Sequence, residues 1–197
     1  MSTPYDKSYF QQLYSEYHDP WDYETNEYDK QKYQYTLDVI QNLHPKKVLE
    51  IGCSIGVFTQ QLAGIVEHLY AIDFSSIVIE KAKQRCHELN NVTFLEVDLY
   101  DLKLPQQVDL VVASEVFYYL DPSEESWSKI VTVLNNVLAH QGHMVCVICG
   151  HHMCDWDSYI SKFSNNRIKV ERVEYNFSEG LPYTLSVFKA ARNILLI

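Results

Sequence analysis

Hydrophobic positions along the chain change their period at residue 45. From Tyr9 to Tyr17, and again from Asp29 to Leu43, apolar and aromatic residues recur at helical spacing and predict two amphipathic helices. Asp19-Pro20-Trp21-Asp22 between them reads as a turn carrying a large aromatic. After Pro45 short apolar runs take over, and Lys47–Ile51, His68–Ile72, Val92–Val97, Val108–Ala113 and His143–Ile148 read as strands. Helical patterns at Val57–Val66, Ile77–Leu89 and Glu125–Leu138 alternate with them, the last closed by Asn, His and Gly142, and another falls near Trp156–Phe163. Near the end, Ile168–Phe177 and Tyr183–Lys189 flank Glu179-Gly180-Leu181-Pro182, a wide hairpin signal. Strands alternating with helices predict an α/β fold, a doubly wound and mostly parallel sheet to which the terminal hairpin adds an antiparallel edge. The 197 residues suit one domain, with residues 1–45 as an N-terminal helical lid and residues 46–197 as the core.

The densest chemistry lies at Val48–Gly56, V-L-E-I-G-C-S-I-G, a strand that breaks at glycine, turns and enters a helix. Such a unit brings unpaired backbone N–H groups to the carboxyl edge of a parallel sheet, where open α/β folds bind cofactors. Glu50 inside the strand disfavours a pyrophosphate and suits the cationic methionine portion of S-adenosylmethionine. The full G-x-G-x-x-G fingerprint of dinucleotide enzymes is absent. Asp73 closes the second strand about twenty residues on, where an acid can accept both ribose hydroxyls. Asp98 and Leu99 follow the third strand and are placed to meet an adenine, and Ser114 and Glu115 follow the fourth.

Composition narrows the partners. Lys plus Arg number 16 against 26 Asp plus Glu, a net charge of −10, which repels polyphosphate and argues against nucleic acid. No run approaches the ~20 apolar residues of a membrane span, and Met1–Phe10 has no apolar leader core, so a cytoplasmic protein without a membrane partner is expected. Five cysteines without framework spacing fit a reducing compartment. His151, His152, Cys154 and Asp155, with Cys146 and Cys149 upstream, have a metal-site composition but no recognised zinc spacing, and no metal is expected.

The core from Lys46 to Leu120 resembles the class I S-adenosylmethionine-dependent methyltransferases, with their Rossmann-like, seven-stranded sheet. More narrowly, Asp19-Pro20-Trp21, Tyr28 with Lys32-Tyr33 and Thr36-Leu37, Gly52-Cys53-Ser54-Ile55-Gly56, Ser114 to Leu120, and Gly150-His151 resemble the nodulation protein S group. That group's namesake N-methylates the free amine of a deacetylated chitooligosaccharide. The glycine usually central in the loop is Ser54 here, as in the nodulation-type variant, and the match weakens after His151. The resemblance implies that Glu50 and the loop residues Gly52, Cys53, Ser54 and Gly56 line the methionine end of the cofactor. It implies that Asp73 holds the ribose, Phe74 packs near adenine, Asp98 and Leu99 frame the base, and the Ser114 carbonyl faces the methionine ammonium. Trp21 and Tyr33 would cover the cofactor, and Lys32 would pair with its carboxylate.

Methyl transfer from a sulfonium to a small-molecule acceptor is the expected reaction, with S-adenosylhomocysteine as product. An amine nitrogen, on an amino sugar or another polar amine, is the expected acceptor; a hydroxylated metabolite, or cofactor binding without turnover, is the alternative. Glu115 is the first candidate base and His151 the second, with Tyr118 or Tyr119 orienting the acceptor.

Overall fold

The computed structural model describes residues 6–149, 168–172 and 183–190. Two N-terminal helices, α1 (Lys7–Glu16) and α2 (Glu27–Leu43), precede β1 (Lys47–Ile51), α3 (Val57–Leu62), β2 (His68–Asp73), α4 (Ser76–Arg85), β3 (Val92–Glu96), β4 (Val108–Ser114), α5 (Glu124–Val137), β5 (Leu138–Cys149), β6 (Ile168–Arg172) and β7 (Tyr183–Ala190). Helix starts follow local chemistry: the Asp6, Asn26 and Ser123 side chains accept hydrogen bonds from Tyr9, Tyr28 and Ser126 N–H, and cap α1, α2 and α5.

All seven strands join one sheet in the order β3-β2-β1-β4-β5-β7-β6. The first five run parallel; β7 is antiparallel to both β5 and β6. The chain winds outward from β1 to β3 and then returns to place β4 on the other side of β1. That reversal opens a crevice at the carboxyl ends of β1 and β4, the place where open sheets bind ligands. Alternation sorts side chains between two apolar layers. Leu49 and Ile51 of β1 pack with Trp127, Ile130 and Leu134 of α5, while Val48 packs with Tyr33, Leu37 and Ile40 of α2 and Phe58 and Leu62 of α3. Glu50, in register with Val48, therefore sits on the α2–α3 side.

Element ends differ from the sequence expectation where backbone geometry intervenes. The helix expected over 57–66 stops at Leu62 and tightens into a 3-10 turn, Ala63–Ile65. The one expected to reach Leu89 ends at Arg85, and Leu89 N–H turns back to the Cys86 carbonyl. No loop forms at Gly142: α5 passes straight into β5, and the irregularity becomes a register shift between Val108 and Leu110 with Gln141 at φ 67°. A Cβ on Gly142 would come within 3.0 Å of the Asp109 carbonyl oxygen, so glycine lets the strands meet there. The helix expected near Trp156–Phe163 and the outer half of the strand expected over 168–177 lie outside the described residues.

Candidate active site

At the tip of β1 the backbone alternates into left-handed conformation, with φ of 73° at Gly52, 47° at Ser54 and 82° at Gly56. Gly52 and Cys53 N–H both donate to the Ile72 carbonyl, at 2.8 and 3.0 Å, tying the loop to β2. Ser54 N–H donates to Asp73 Oδ2 at 3.2 Å, and Ser75 N–H to Asp73 Oδ1 at 3.0 Å, so each carboxylate oxygen keeps lone-pair capacity toward the crevice. Burial pushes the Asp73 carboxyl up to about 6, against the pull of those N–H donors.

The crevice is a cavity of about 340 Å³, within the range of small-molecule sites. Of the residues the sequence singled out, Trp21, Gly52, Ser54, Asp73, Phe74, Asp98, Leu99, Ser114 and Glu115 line it. Glu50, Tyr33 and Cys53 instead line a small adjoining cavity of about 30 Å³, which shares Gly52, Ser54, Ser114 and Glu115 with the larger one. That volume holds a water or an ammonium group.

Four assignments need correction or fall outside. Lys32 does not line either cavity: its ammonium is drawn to Asp29 Oδ1 at 2.7 Å and Glu115 Oε1 at 3.1 Å, which leaves it engaged on α2 rather than open to a ligand carboxylate. Gly56 lines neither, because it is the left-handed cap of α3; a Cβ there would lie 3.0 Å from the Ala82 Cα, so its role is to let α3 and α4 touch. Tyr118 turns away to donate to Glu115 Oε2 at 3.1 Å, and its neighbour Tyr119 faces the cavity. His151 lies outside the described residues.

The sequence pointed to an aromatic-rich helical lid with Trp21 over the site, but it did not single out Phe10, Tyr14 and Tyr23, which α1 and the following turn bring to the cavity wall. Tyr14 OH hydrogen-bonds Ser54 Oγ at 2.6 Å and accepts from Trp21 Nε1 at 3.2 Å, which joins α1 and the turn after it to the glycine loop. Phe10 packs edge-on against Phe74 and Tyr119, and Tyr23 lines both cavities. Lys81 of α4 donates to the Tyr14, Tyr17 and His18 carbonyls at the end of α1, and Arg85 reaches Glu24 and the Ile55 carbonyl. A helix whose last carbonyls are met by a lysine on the core is docked, and here it roofs the cavity.

Glu50 tests whether the site suits a cation. It is 4% exposed, its Oε2 has no hydrogen-bond partner among the described residues, and burial pushes its carboxyl up to about 8. A cationic ligand group in the adjoining cavity would supply the missing partner. Because the folded value lies above the ordinary 4.5, the folded state holds this proton more tightly than the unfolded one. Glu50 therefore contributes stability that is full below about 4.5 and lost as pH rises through about 8. Glu50→Gln is expected to flatten the ligand-free protein's stability between those values, as read by denaturant titration across pH; an unchanged slope would show that Glu50 is not the source.

A parallel sheet reversed only at its penultimate strand, with its cavity at the switch point, is the architecture of class I S-adenosylmethionine-dependent methyltransferases, and this chain is one of them. A family model described as Nodulation protein S (NodS) matches residues 9–165. The chain belongs to that family. It is 30% identical to nodulation protein S of Sinorhizobium fredii over 79% of this chain and 75% of that protein. It is 26% identical to nodulation protein S of Bradyrhizobium diazoefficiens over 78% of this chain and 77% of the relative. The N-methyltransferase NodS of Bradyrhizobium japonicum WM9, crystallised with S-adenosyl-L-homocysteine, superposes with a TM-score of 0.79 at 24% identity, covering 95% of this chain and all of that one. Among the described residues, no helix is long and apolar enough to cross a membrane, and no three or more His, Cys, Asp or Glu group into a metal-binding set.

Proposed function

We propose that this methyltransferase acts on the nitrogen of a small polar amine, amino sugars among them, beneath a lid formed by residues 1–45 over a core of residues 46–197. The supporting observation is the chemistry of the cavity wall. Asp98, Glu115 and Asp121 line it with the rings of Trp21, Tyr23 and Tyr119, while the lining ammonium, Lys7, is already paired with Glu96 at 3.3 Å. Carboxylates and π-faces complement cations, and the chain's net charge of −10 draws them in. The structurally similar protein from Bradyrhizobium japonicum is itself an N-methyltransferase.

S-adenosylmethionine, when bound, supplies an activated methyl group on a cationic sulfur. In this reading Asp73 accepts from the ribose, Phe74, Asp98 and Leu99 hold the base, and the Ser114 carbonyl and Glu50 meet the methionine ammonium. Gly52, Cys53 and Ser54 bring backbone N–H groups to the same end, and Trp21 and Tyr33 help exclude water. An amine drawn in as a cation must first shed a proton to free its attacking lone pair, and the remaining work is alignment. Its proton leaves to water at the cavity mouth, and no imidazole lines the described wall. A hydroxyl acceptor would need a base beside it in the transition state.

Incubation with methyl-labelled S-adenosylmethionine and matched panels of amines and alcohols tests this reading. Label is expected on primary amines of polar, uncharged-ring compounds. Label confined to oxygen would overturn it.

A further inference from the structure

Glu115 is built into the protein at more points than a proton carrier needs. Its Oε1 accepts from Lys32 of α2, and its Oε2 accepts from Tyr118 OH at 3.1 Å and from Cys149 N–H, the last residue of β5, at 3.0 Å. Its own N–H donates to the Val147 carbonyl at 2.8 Å. Lys32, Asp29 and Glu115 expose 4%, 8% and 9% of their side chains, and the rings of Tyr28 and Tyr33 lie 5.3 and 5.9 Å from the ammonium. One carboxylate thus ties together a lid helix and the carboxyl tips of two neighbouring strands. It does so from a backbone φ of 59°, a left-handed conformation that a non-glycine residue holds only when its surroundings impose it. Its neighbour Val116 packs over Gly52, where a Cβ would come within 2.6 Å of the valine Cγ2. The position of Glu115 therefore also sets the gap between the β4 tip and the glycine loop.

We propose that Glu115 is a positioning residue rather than the proton acceptor: through Lys32 it pins α2 to the tips of β4 and β5 and so fixes the cavity wall against which the cofactor binds. A base must accept a proton and give it up each turnover. Here a proton would have to displace Tyr118, Cys149 N–H or Lys32, or compete beside the lysine for the one remaining lone pair on Oε1. Asp29 and Glu115 share a single ammonium, so the cluster also leaves one carboxylate in excess at the wall of a site for a cation.

The inference rests on the cofactor occupying this rim and not on the choice of acceptor, so its test uses S-adenosylhomocysteine as the probe. Glu115→Gln keeps the shape and the acceptor for Cys149 N–H but loses the charge facing Lys32. It is expected to weaken S-adenosylhomocysteine binding about tenfold, mainly through faster release, and to speed amide hydrogen exchange in 27–43 while exchange in 47–51 and 68–73 stays as in the parent. The same change made in Lys32→Met is expected to leave binding unchanged or improve it, because it then removes a buried carboxylate that has lost its counter-ion. Parent-like affinity and exchange in Glu115→Gln would overturn the proposal, as would equal losses in both backgrounds. Should Lys32→Met not fold, the single substitution still decides, through affinity and through exchange in the second helix. Absence of any S-adenosylhomocysteine binding by the parent would instead strike the cofactor assignment, and inert amine acceptors would strike only the proposed reaction.

Discussion

Lys32→Met is expected to lower folding stability by about 3–5 kcal/mol, the cost of breaking a buried ion pair from one side. Methionine matches the length and apolar stem of lysine, so packing against Tyr28 and Tyr33 survives while the charge goes. Asp29 and Glu115 are then left buried with no ammonium between them. Against a total of ~5–15 kcal/mol for a domain, that is a large share. A urea titration at neutral pH would show the midpoint falling with little change in slope. The pH dependence supplies a check. Desolvation lowers the lysine's affinity for its proton, but Glu115 and Asp29 outweigh it and hold the group above its ordinary 10.5. The contribution is therefore complete below about 10.5 and is lost as pH climbs through the raised value, so parent and variant should converge only in strong alkali. A loss well under 1 kcal/mol would mean that the carboxylates find other partners.

Asp73→Ala is expected to weaken S-adenosylhomocysteine binding by ~1–3 kcal/mol, the value of hydrogen bonds to a charged group. The carboxylate is already oriented by Ser54 and Ser75 N–H, so ribose hydroxyls would meet an acceptor fixed in advance. They favour its ionised form, which links binding to pH: affinity in the parent should strengthen as pH rises through about 6. The variant should lose that step and keep any dependence at higher pH that belongs to Glu50. Calorimetry in a pH series reads both quantities together. Unaltered affinity would remove Asp73 from the ribose role.

The core strands along the chain and the glycine loop were legible because each is written locally. Val48-Leu49 and Ile51 read as a strand, Gly52 as its break, and Asp73 as the end of the next apolar run. The roof was not. Phe10, Tyr14 and Tyr23 sit at positions where an aromatic on a helix or turn looks like ordinary core, and nothing local says that Tyr14 reaches Ser54, 40 residues away. Lys32 illustrates the limit within one side chain. Its i, i+3 pairing with Asp29 follows from helix geometry, whereas its contact with Glu115 spans 83 residues and depends on how α2 docks. Tyr118 and Tyr119 are adjacent, and only the 3-10 turn over Phe117–Tyr119 decides which faces the cavity. Gly56 was legible as a loop residue, but its contact with Ala82 belongs to the packing of two helices and has no sequence signature.

Serine at position 54 has a consequence for how tightly the site can hold a ligand. A left-handed serine is conformationally costly, by ~1–2 kcal/mol, where glycine would be free. Yet it has far fewer shapes to give up than glycine, and two hydrogen bonds, to Tyr14 and Asp73, hold it where it is. The expense falls once, when the chain folds. Each arriving ligand then meets a cradle already set, and little ordering entropy is left to subtract from its affinity.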